Sequence, residues 1–293
     1  MRFLEAALER ALGKSTVRIE HAAALSGGCI HDARRLVTSE GEFFAKWSRD
    51  APADIFVNEA CGLEALREVG AALVIPRVLA ASEPVDGQPA FLILEYLPPA
   101  PPGQGHDREN LGRGLATLHR ASAPQFGFPS PTYCGSTWQD NRSGESWTEF
   151  YRDRRLRPMV RSLADQGRCS AGDLVVYERL MSRLDDLLPG HPTPALIHGD
   201  LWSGNVLWTE RGPGLVDPAC AYADREMEFG ITTLFGGLEG SALSAYEEAW
   251  PLPPGWRDRN PLYQLYHLLN HAVLFGGHYG EEARRIAIRY VGR

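Results

Sequence analysis

Residues 98–103 read Pro-Pro-Ala-Pro-Pro-Gly, and this cluster restricts the possible folds more than any other stretch of the chain. Proline lacks the amide hydrogen that a helix interior or a central strand requires, so neither element runs through it. The hydrophobic period also changes across it. Upstream, residues 4–12 carry helical spacing. Residues 17–24, 32–38 and 42–47 carry strand-type runs, separated by Ser26-Gly27-Gly28 and Ser39-Glu40-Gly41. Residues 55–69 return to helical spacing through Ile55, Phe56, Leu63 and Leu66, and 78–81 and 91–94 read as two further strands. Downstream, helical patterns cover 108–121, 146–163, 172–188, 226–235, 241–250, 260–275 and 281–291. Short apolar segments at 195–197, 205–208 and 214–216 interrupt them beside polar punctuation, where a rigid scaffold commonly carries its site. The expectation is an α+β, bilobal chain. Residues 1–97 form a small antiparallel sheet with one main helix, and 98–293 form a larger, mostly helical lobe.

Composition removes several function classes. With 44% hydrophobic residues among 293, the chain has ample material for a core. A net charge of −7 argues against nucleic acid as a partner. The longest apolar runs are far too short to span a bilayer, and the N-terminus, with Glu5 and Glu9, lacks a signal-type apolar core. Five cysteines without a CxxC or Cys/His cluster fit neither a disulfide framework nor a structural zinc site. A cytosolic compartment with no membrane partner is expected. Of the 30 basic residues only Lys14 and Lys46 are lysine, a bias most simply set by genome composition. Each lysine therefore merits individual attention.

The most informative segment runs Leu196-Ile197-His198-Gly199-Asp200-Leu201-Trp202-Ser203-Gly204-Asn205, with Asp217-Pro218-Ala219 after a further strand pair. An Asp, an Asn five residues on and a second Asp beyond a hairpin match the spacing of a protein-kinase catalytic loop and its metal-binding groups. A hydroxyl attacking phosphorus must lose a proton to a nearby carboxylate, and Mg²⁺ requires hard oxygen ligands. Asp and Asn also cap ordinary turns, so the spacing alone is weak. The upstream residues strengthen it. Gly27 and Gly28 join two strands, Lys46 sits on a strand among large apolar residues, and Glu59 follows on the next helix. A strand lysine can meet nucleotide phosphates as a point charge. The specificity lies in the order of glycine hairpin, Lys, helical Glu, linker, Asp, Asn, Asp.

These residues resemble the fructosamine kinase (ketosamine-3-kinase) family of the protein-kinase-like superfamily, almost end to end. Ser26-Gly27-Gly28-Cys29-Ile30 resembles its glycine-rich loop, and residues 56–66 its glutamate-bearing helix. Leu115-Ala116-Thr117-Leu118-His119, Phe126-Gly127-Phe128, Trp138-Gln139-Asp140, Leu234-Phe235-Gly236-Gly237 and residues 263–271 match further positions. The His-Gly-Asp stretch alone also fits aminoglycoside and choline kinases; Trp202-Ser203-Gly204 and the Asp-Pro-Ala form narrow it. The resemblance implies ATP-dependent phosphorylation of the 3-hydroxyl of a ketosamine, followed by elimination that frees the amine. The acceptor is a small molecule or a protein-bound adduct.

Carried over, Asp200 is the base or hydroxyl orienter, and Asn205 and Asp217 hold Mg²⁺. Gly27, Gly28, Cys29 and Lys46 meet ATP, Glu59 orients Lys46, and Glu95-Tyr96-Leu97 form an adenine-binding hinge. Trp202 lines the sugar site; His198 is placed with it on the substrate side, packing beneath the loop rather than taking the proton. A related kinase for an amino sugar, aminoglycoside or choline-like acceptor, and a nucleotide-binding pseudokinase, are the alternatives. The stretch after Asp217 has no Ala-Pro-Glu segment, so activation-loop control is not expected. Cys29 is a candidate redox switch, which makes the expected assembly a monomer or a homodimer bridged through Cys29. Arg152, Arg154, Arg155, Arg157 and Arg161 read as a solvated helix face making salt bridges. His267, His271 and His278 read as packing or pocket residues rather than a metal site.

Overall fold

A computed structural model describes residues 1–25, 32–101 and 107–292. Gly27, Gly28 and Cys29, and with them the glycine-rich loop and the thiol bridge, lie outside the described residues.

Helix α1 (Arg2–Leu12) precedes strands β1 (Ile19–Ala24), β2 (Asp32–Thr38) and β3 (Gly41–Ser48), helix α2 (Ile55–Glu68), and strands β4 (Val78–Ser82) and β5 (Ala90–Glu95). The strands form one antiparallel sheet in the order β1-β2-β3-β5-β4. Alternation along β3 sorts its side chains onto two faces. Phe43, Ala45 and Trp47 pack with Leu4 and Leu8 of α1. Phe44 and Lys46 face the other way, toward α2, with Lys46 in register with Leu92 of β5.

After the proline segment come α3 (Arg108–His119), the hairpin β6 (Thr132–Cys134) and β7 (Thr137–Gln139), α4 (Trp147–Tyr151), α5 (Arg157–Asp165), α6 (Ala171–Met181) and α7 (Leu184–Leu187). Strand β8 (Ala195–Ile197) leads through a 3-10 turn (Ser203–Asn205) to the hairpin β9 (Val206–Thr209) and β10 (Gly212–Leu215). The chain then runs through β11 (Ala221–Ala223), α8 (Glu226–Phe235), α9 (Ser241–Ala249), α10 (Trp256–Phe275) and α11 (Tyr279–Val291). Side-chain caps start some of the helices: Asp107 accepts from Asn110 N–H, and Ser170 and Asp173 form a capping box at α6.

The mixed α+β architecture expected from the periodicity is the one that forms, with three differences. The pattern over 146–163 breaks into α4, a π-helical turn (Arg152–Leu156) and α5. The turn carries Arg155 inward, where it is 1% exposed and donates to Asp140 O and Asn141 Oδ1. Arg152, Arg154 and Arg157 do pair with acids on the surface as expected. The pattern over 172–188 divides into α6 and α7, and the β6–β7 hairpin and β11 form where no element was expected.

One apolar cluster crosses the proline segment. Phe56, Leu63 and Leu66 of α2 and Leu92 of β5 pack with Leu111 and Leu115 of α3, Leu201, Leu215 and Phe229. The β9–β10 hairpin is pinned by residues before and within that segment: Val74 N–H donates to Pro213 O, Leu215 N–H to Val74 O, and Ala100 N–H to Trp208 O. These bonds fix the hairpin against the sheet and helix that carry Lys46 and Glu59. No helix among the described residues is long and apolar enough to cross a membrane.

Candidate active site

Lys46 joins two carboxylates from opposite ends of the chain. Its Nζ lies 2.6 Å from Glu59 Oε2 on α2 and 2.8 Å from Asp217 Oδ1 beyond β10. Burial opposes the ammonium, but Asp217 and Glu59 together raise its pKa above the ordinary lysine value. Glu59 is pushed up to about 7, chiefly by burial, with Lys46 opposing and Asp217 adding to the rise. Burial also works against the Asp217 carboxylate, yet Lys46 outweighs it and holds its pKa below the usual range. One ammonium thus serves two acids, of which Glu59 is the weaker.

The segment 198–219 is folded by its glycines. Gly199 has φ +80°, and a Cβ there would lie 2.1 Å from Ala219 O. Ala219 N–H in turn donates to His198 O at 2.8 Å, so the His-Gly-Asp and Asp-Pro-Ala stretches lock together through backbone alone. Gly204 allows a second close approach, because a Cβ there would sit 2.4 Å from the Trp202 ring. Asp217 adopts φ +54°, a left-handed conformation uncommon for a residue with a side chain. Beneath the loop, the fully buried Glu228 accepts His198 N–H at 2.5 Å and Gly199 N–H at 3.0 Å. His119 Nε2 lies 3.5 Å from the same carboxylate.

Asp200 opens onto a cavity of about 520 Å³ shared with Lys46, Glu59, Trp202, Asn205 and Asp217. Asn205 Nδ2 donates to Asp200 O at 2.8 Å and to Asp200 Oδ2 at 3.3 Å. Burial pushes Asp200 up to about 7; the Cys134 and Asn205 hydrogen bonds oppose the rise, and the Asp217 and Glu228 charges add to it.

The sequence pattern of the fructosamine kinase family matches residues 2–292. The chain belongs to the fructosamine kinase family. A Vibrio parahaemolyticus protein bearing the name probable ketoamine kinase is 37% identical over 262 residues, covering 89% of this chain and 88% of that protein. The chloroplastic protein-ribulosamine 3-kinase of Arabidopsis thaliana is 35% identical over 286 residues, covering 95% and 85%. A solved fructosamine-3-kinase structure from Thermobifida fusca superposes with a TM-score of 0.85 at 33% identity, over 99% of both chains. An aminoglycoside phosphotransferase, solved with AMP-PNP and hygromycin B, shares the kinase-like fold with a TM-score of 0.63 at 17% identity, over 99% of this chain and 98% of that one.

This fructosamine kinase family member is therefore a phosphotransferase. Its oxygen donors suit a hard divalent ion. With Nδ2 of Asn205 committed to Asp200, the carboxamide oxygen remains as the donor atom, and the Asp217 side chain is 43% exposed toward the cavity. Glu59 Oε1, buried without a hydrogen-bond partner among the described residues, marks the same region as one built for further polar company.

The structure brings six of the expected residues to one cavity and keeps others away. His198 requires correction as a substrate-side group. It is fully buried, its Nε2 meets Val216 O at 3.0 Å, and its Nδ1 accepts Asp200 N–H at 3.3 Å, so the ring props the loop from below. Glu95, Tyr96 and Leu97 lie at the end of β5, outside this cavity's lining. Glu95 pairs with Arg211, Tyr96 lies under Arg35, and Leu97 is buried. Sequence reasoning did not single out Tyr133, Cys134 and Gly135 from the β6–β7 hairpin as site residues. It also left out Asn270, Phe275 and Tyr279, which line the wall beside His271, a residue expected to be a packing or pocket residue. Family-like segments around 126–140 and 263–271 were the available signal, without roles attached.

Proposed function

We propose that this enzyme transfers the γ-phosphate of ATP, carried with Mg²⁺, to the 3-hydroxyl of a ketosamine, a sugar adduct of an amine or a protein lysine. The observation that carries this reading is the Lys46–Glu59–Asp217 cluster facing the same cavity as Asp200 and Asn205. In this reading Asp200 accepts the hydroxyl proton while the new oxygen–phosphorus bond forms and the bond to the β-phosphate breaks, releasing ADP. Asn205 and Asp217 hold the metal, which supplies charge neutralisation for the phosphates. Lys46 holds the phosphates, and Glu59 keeps Lys46 in place once Asp217 turns to the ion. Backbone groups of 95–97 take the adenine, and Trp202 forms one side of the sugar site. Residues 1–97 then serve as the nucleotide lobe and 98–293 as the catalytic and acceptor lobe. The 3-phosphate is a good leaving group: its β-elimination from the enaminol leaves an imine, and hydrolysis of that imine by water frees the amine and a deoxy-dicarbonyl sugar, a deglycation suited to a cytosolic repair enzyme.

A coupled ADP-release assay with Mg·ATP tests the reading across ribuloselysine, erythruloselysine, fructoselysine, choline and kanamycin. Turnover of at least one ketosamine is expected. Turnover of choline or kanamycin alone would replace the substrate assignment.

A further inference from the structure

The β6–β7 hairpin brings a thiol to the carboxylate of the loop. Cys134 Sγ lies 3.6 Å from Asp200 Oδ1, and the ligand atoms of Cys134, Asp200 and His267 all lie within 4.8 Å of one another. Asn270 holds the thiol from behind, donating from Nδ2 to Cys134 O at 3.2 Å and to Sγ at 3.3 Å. His267 is 1% exposed, and among the described residues its Nδ1 has no hydrogen-bond partner. A buried polar atom left in that state costs roughly 1–3 kcal/mol and calls for an explanation. Burial keeps the ring neutral, with a pKa drawn down to about 3, and a neutral imidazole is the form that binds metal.

We infer that Cys134, Asp200 and His267 form an inhibitory site for one thiophilic divalent cation of the Zn²⁺ class. A sulfur, a nitrogen and a carboxylate oxygen are a zinc-type donor set. Cys134 and Asp200 both line the cavity, so the fourth position opens to water or to an acceptor hydroxyl. The ligand atoms of a tetrahedral zinc site stand about 3.5 Å apart, so closure requires shifts on the order of 1 Å. The Asn205–Asp217 oxygens suit Mg²⁺ and the thiol group does not, so the two ions sort between neighbouring sites by hardness. On binding, bonds form from the ion to sulfur, nitrogen and oxygen. The Cys134 proton is released to solvent, and no oxidation state changes. The Asp200 carboxylate is then engaged and cannot take a proton from an acceptor. This inhibitory consequence rests on the proposed kinase reading, whereas the cation site itself does not.

The test uses the full-length protein, stripped with a chelator and titrated with Cd²⁺ while thiolate-to-cadmium absorbance is followed. A band saturating at about one equivalent is expected in the wild type and in Cys61→Ser. Cys134→Ser should abolish it, and His267→Gln should weaken binding at least about tenfold. Zn²⁺ should also protect Cys134 from alkylation, read by mass spectrometry. At excess Mg²⁺, Zn²⁺ should inhibit ketosamine turnover in the wild type but not the residual turnover of Cys134→Ser. An unchanged band in both Cys134→Ser and His267→Gln overturns the site. If Cys134→Ser does not fold, His267→Gln and the alkylation measurement decide it. Zn²⁺ bound with full turnover overturns the inhibitory role. Cadmium binding as expected in a protein that turns over no ketosamine refutes the kinase reading and leaves the cation site standing.

Discussion

Lys46 Nζ and Asp217 Oδ1 stand 2.8 Å apart although 171 residues separate them. With Glu59 on the other side, the ammonium ties the sheet, α2 and the end of the β9–β10 hairpin into one electrostatic unit. Lys46→Met keeps the side-chain volume and removes the charge. ATP kcat/KM should fall at least about a hundredfold, as for loss of a placed phosphate ligand. The melting temperature at pH 8 should also fall, because two facing carboxylates lose their counterion. Steady-state kinetics and a thermal melt check both, and a variant with unaltered ATP kinetics would remove Lys46 from the nucleotide site.

Asp200→Asn separates chemistry from binding. The amide cannot accept the hydroxyl proton, so kcat should drop about 10²- to 10⁴-fold while nucleotide affinity by calorimetry stays within about threefold. In the proposed mechanism the working form is the carboxylate, and burial places its pKa at about 7. ATP kcat/KM should therefore fall about tenfold per pH unit below that point.

The same shift has a consequence for stability. Asp200 titrates near 4 in the unfolded chain and at about 7 in the fold, so the folded state holds its proton more tightly. Its charge therefore destabilises the fold progressively as pH rises from about 4 to about 7. Asp200→Asn lacks that penalty. Its melting temperature should exceed the wild type's above pH 7, by a few degrees for an effect on the order of 1 kcal/mol, and the gap should close toward pH 4. A gap that widens on acidification would contradict the assigned environment.

Glu228 supports the loop from inside, with two acceptor oxygens for two backbone donors. Glutamine offers one acceptor and sets an N–H₂ against the other donor. Glu228→Gln should cost about 2 kcal/mol or more in urea unfolding and lower kcat, with nucleotide binding less affected. An unchanged unfolding midpoint would count against the supporting role.

Gly204→Ala tests the acceptor side. The added methyl meets the Trp202 ring at a distance no real contact tolerates, so the indole must move. The acceptor KM should rise about tenfold with little change in ATP KM, since only the proposed sugar wall shifts. Equal effects on both substrates would mean that the loop as a whole had moved.

How far the site could be read in advance differs from residue to residue. Lys46 was legible twice over, through its place on a strand and through the scarcity of lysine. Alternation then put it on the face opposite Ala45, toward α2. Asp200, Asn205 and Asp217 were legible because a loop and one hairpin carry them, and their spacing survives folding. His198 stands in the same motif, yet packing buried it and gave both ring nitrogens to the backbone. The helical pattern over 146–163 held no sign of the π-turn that sends Arg155 inward, since a charged residue in a basic run reads as surface.

Order, period and local spacing of the long strands and helices, and the polar groups on the loops between them, were therefore determined by the sequence alone, whereas the β6–β7 hairpin, β11 and the π-helical turn were not. Tertiary structure decided the partners. Glu228 beneath Gly199, Cys134 beside Asp200, and His267 behind them come from α8, the β6–β7 hairpin and α10. The physical reason is that periodicity records which face of an element is buried. Meetings between side chains from distant elements arise only when those buried faces close on one another.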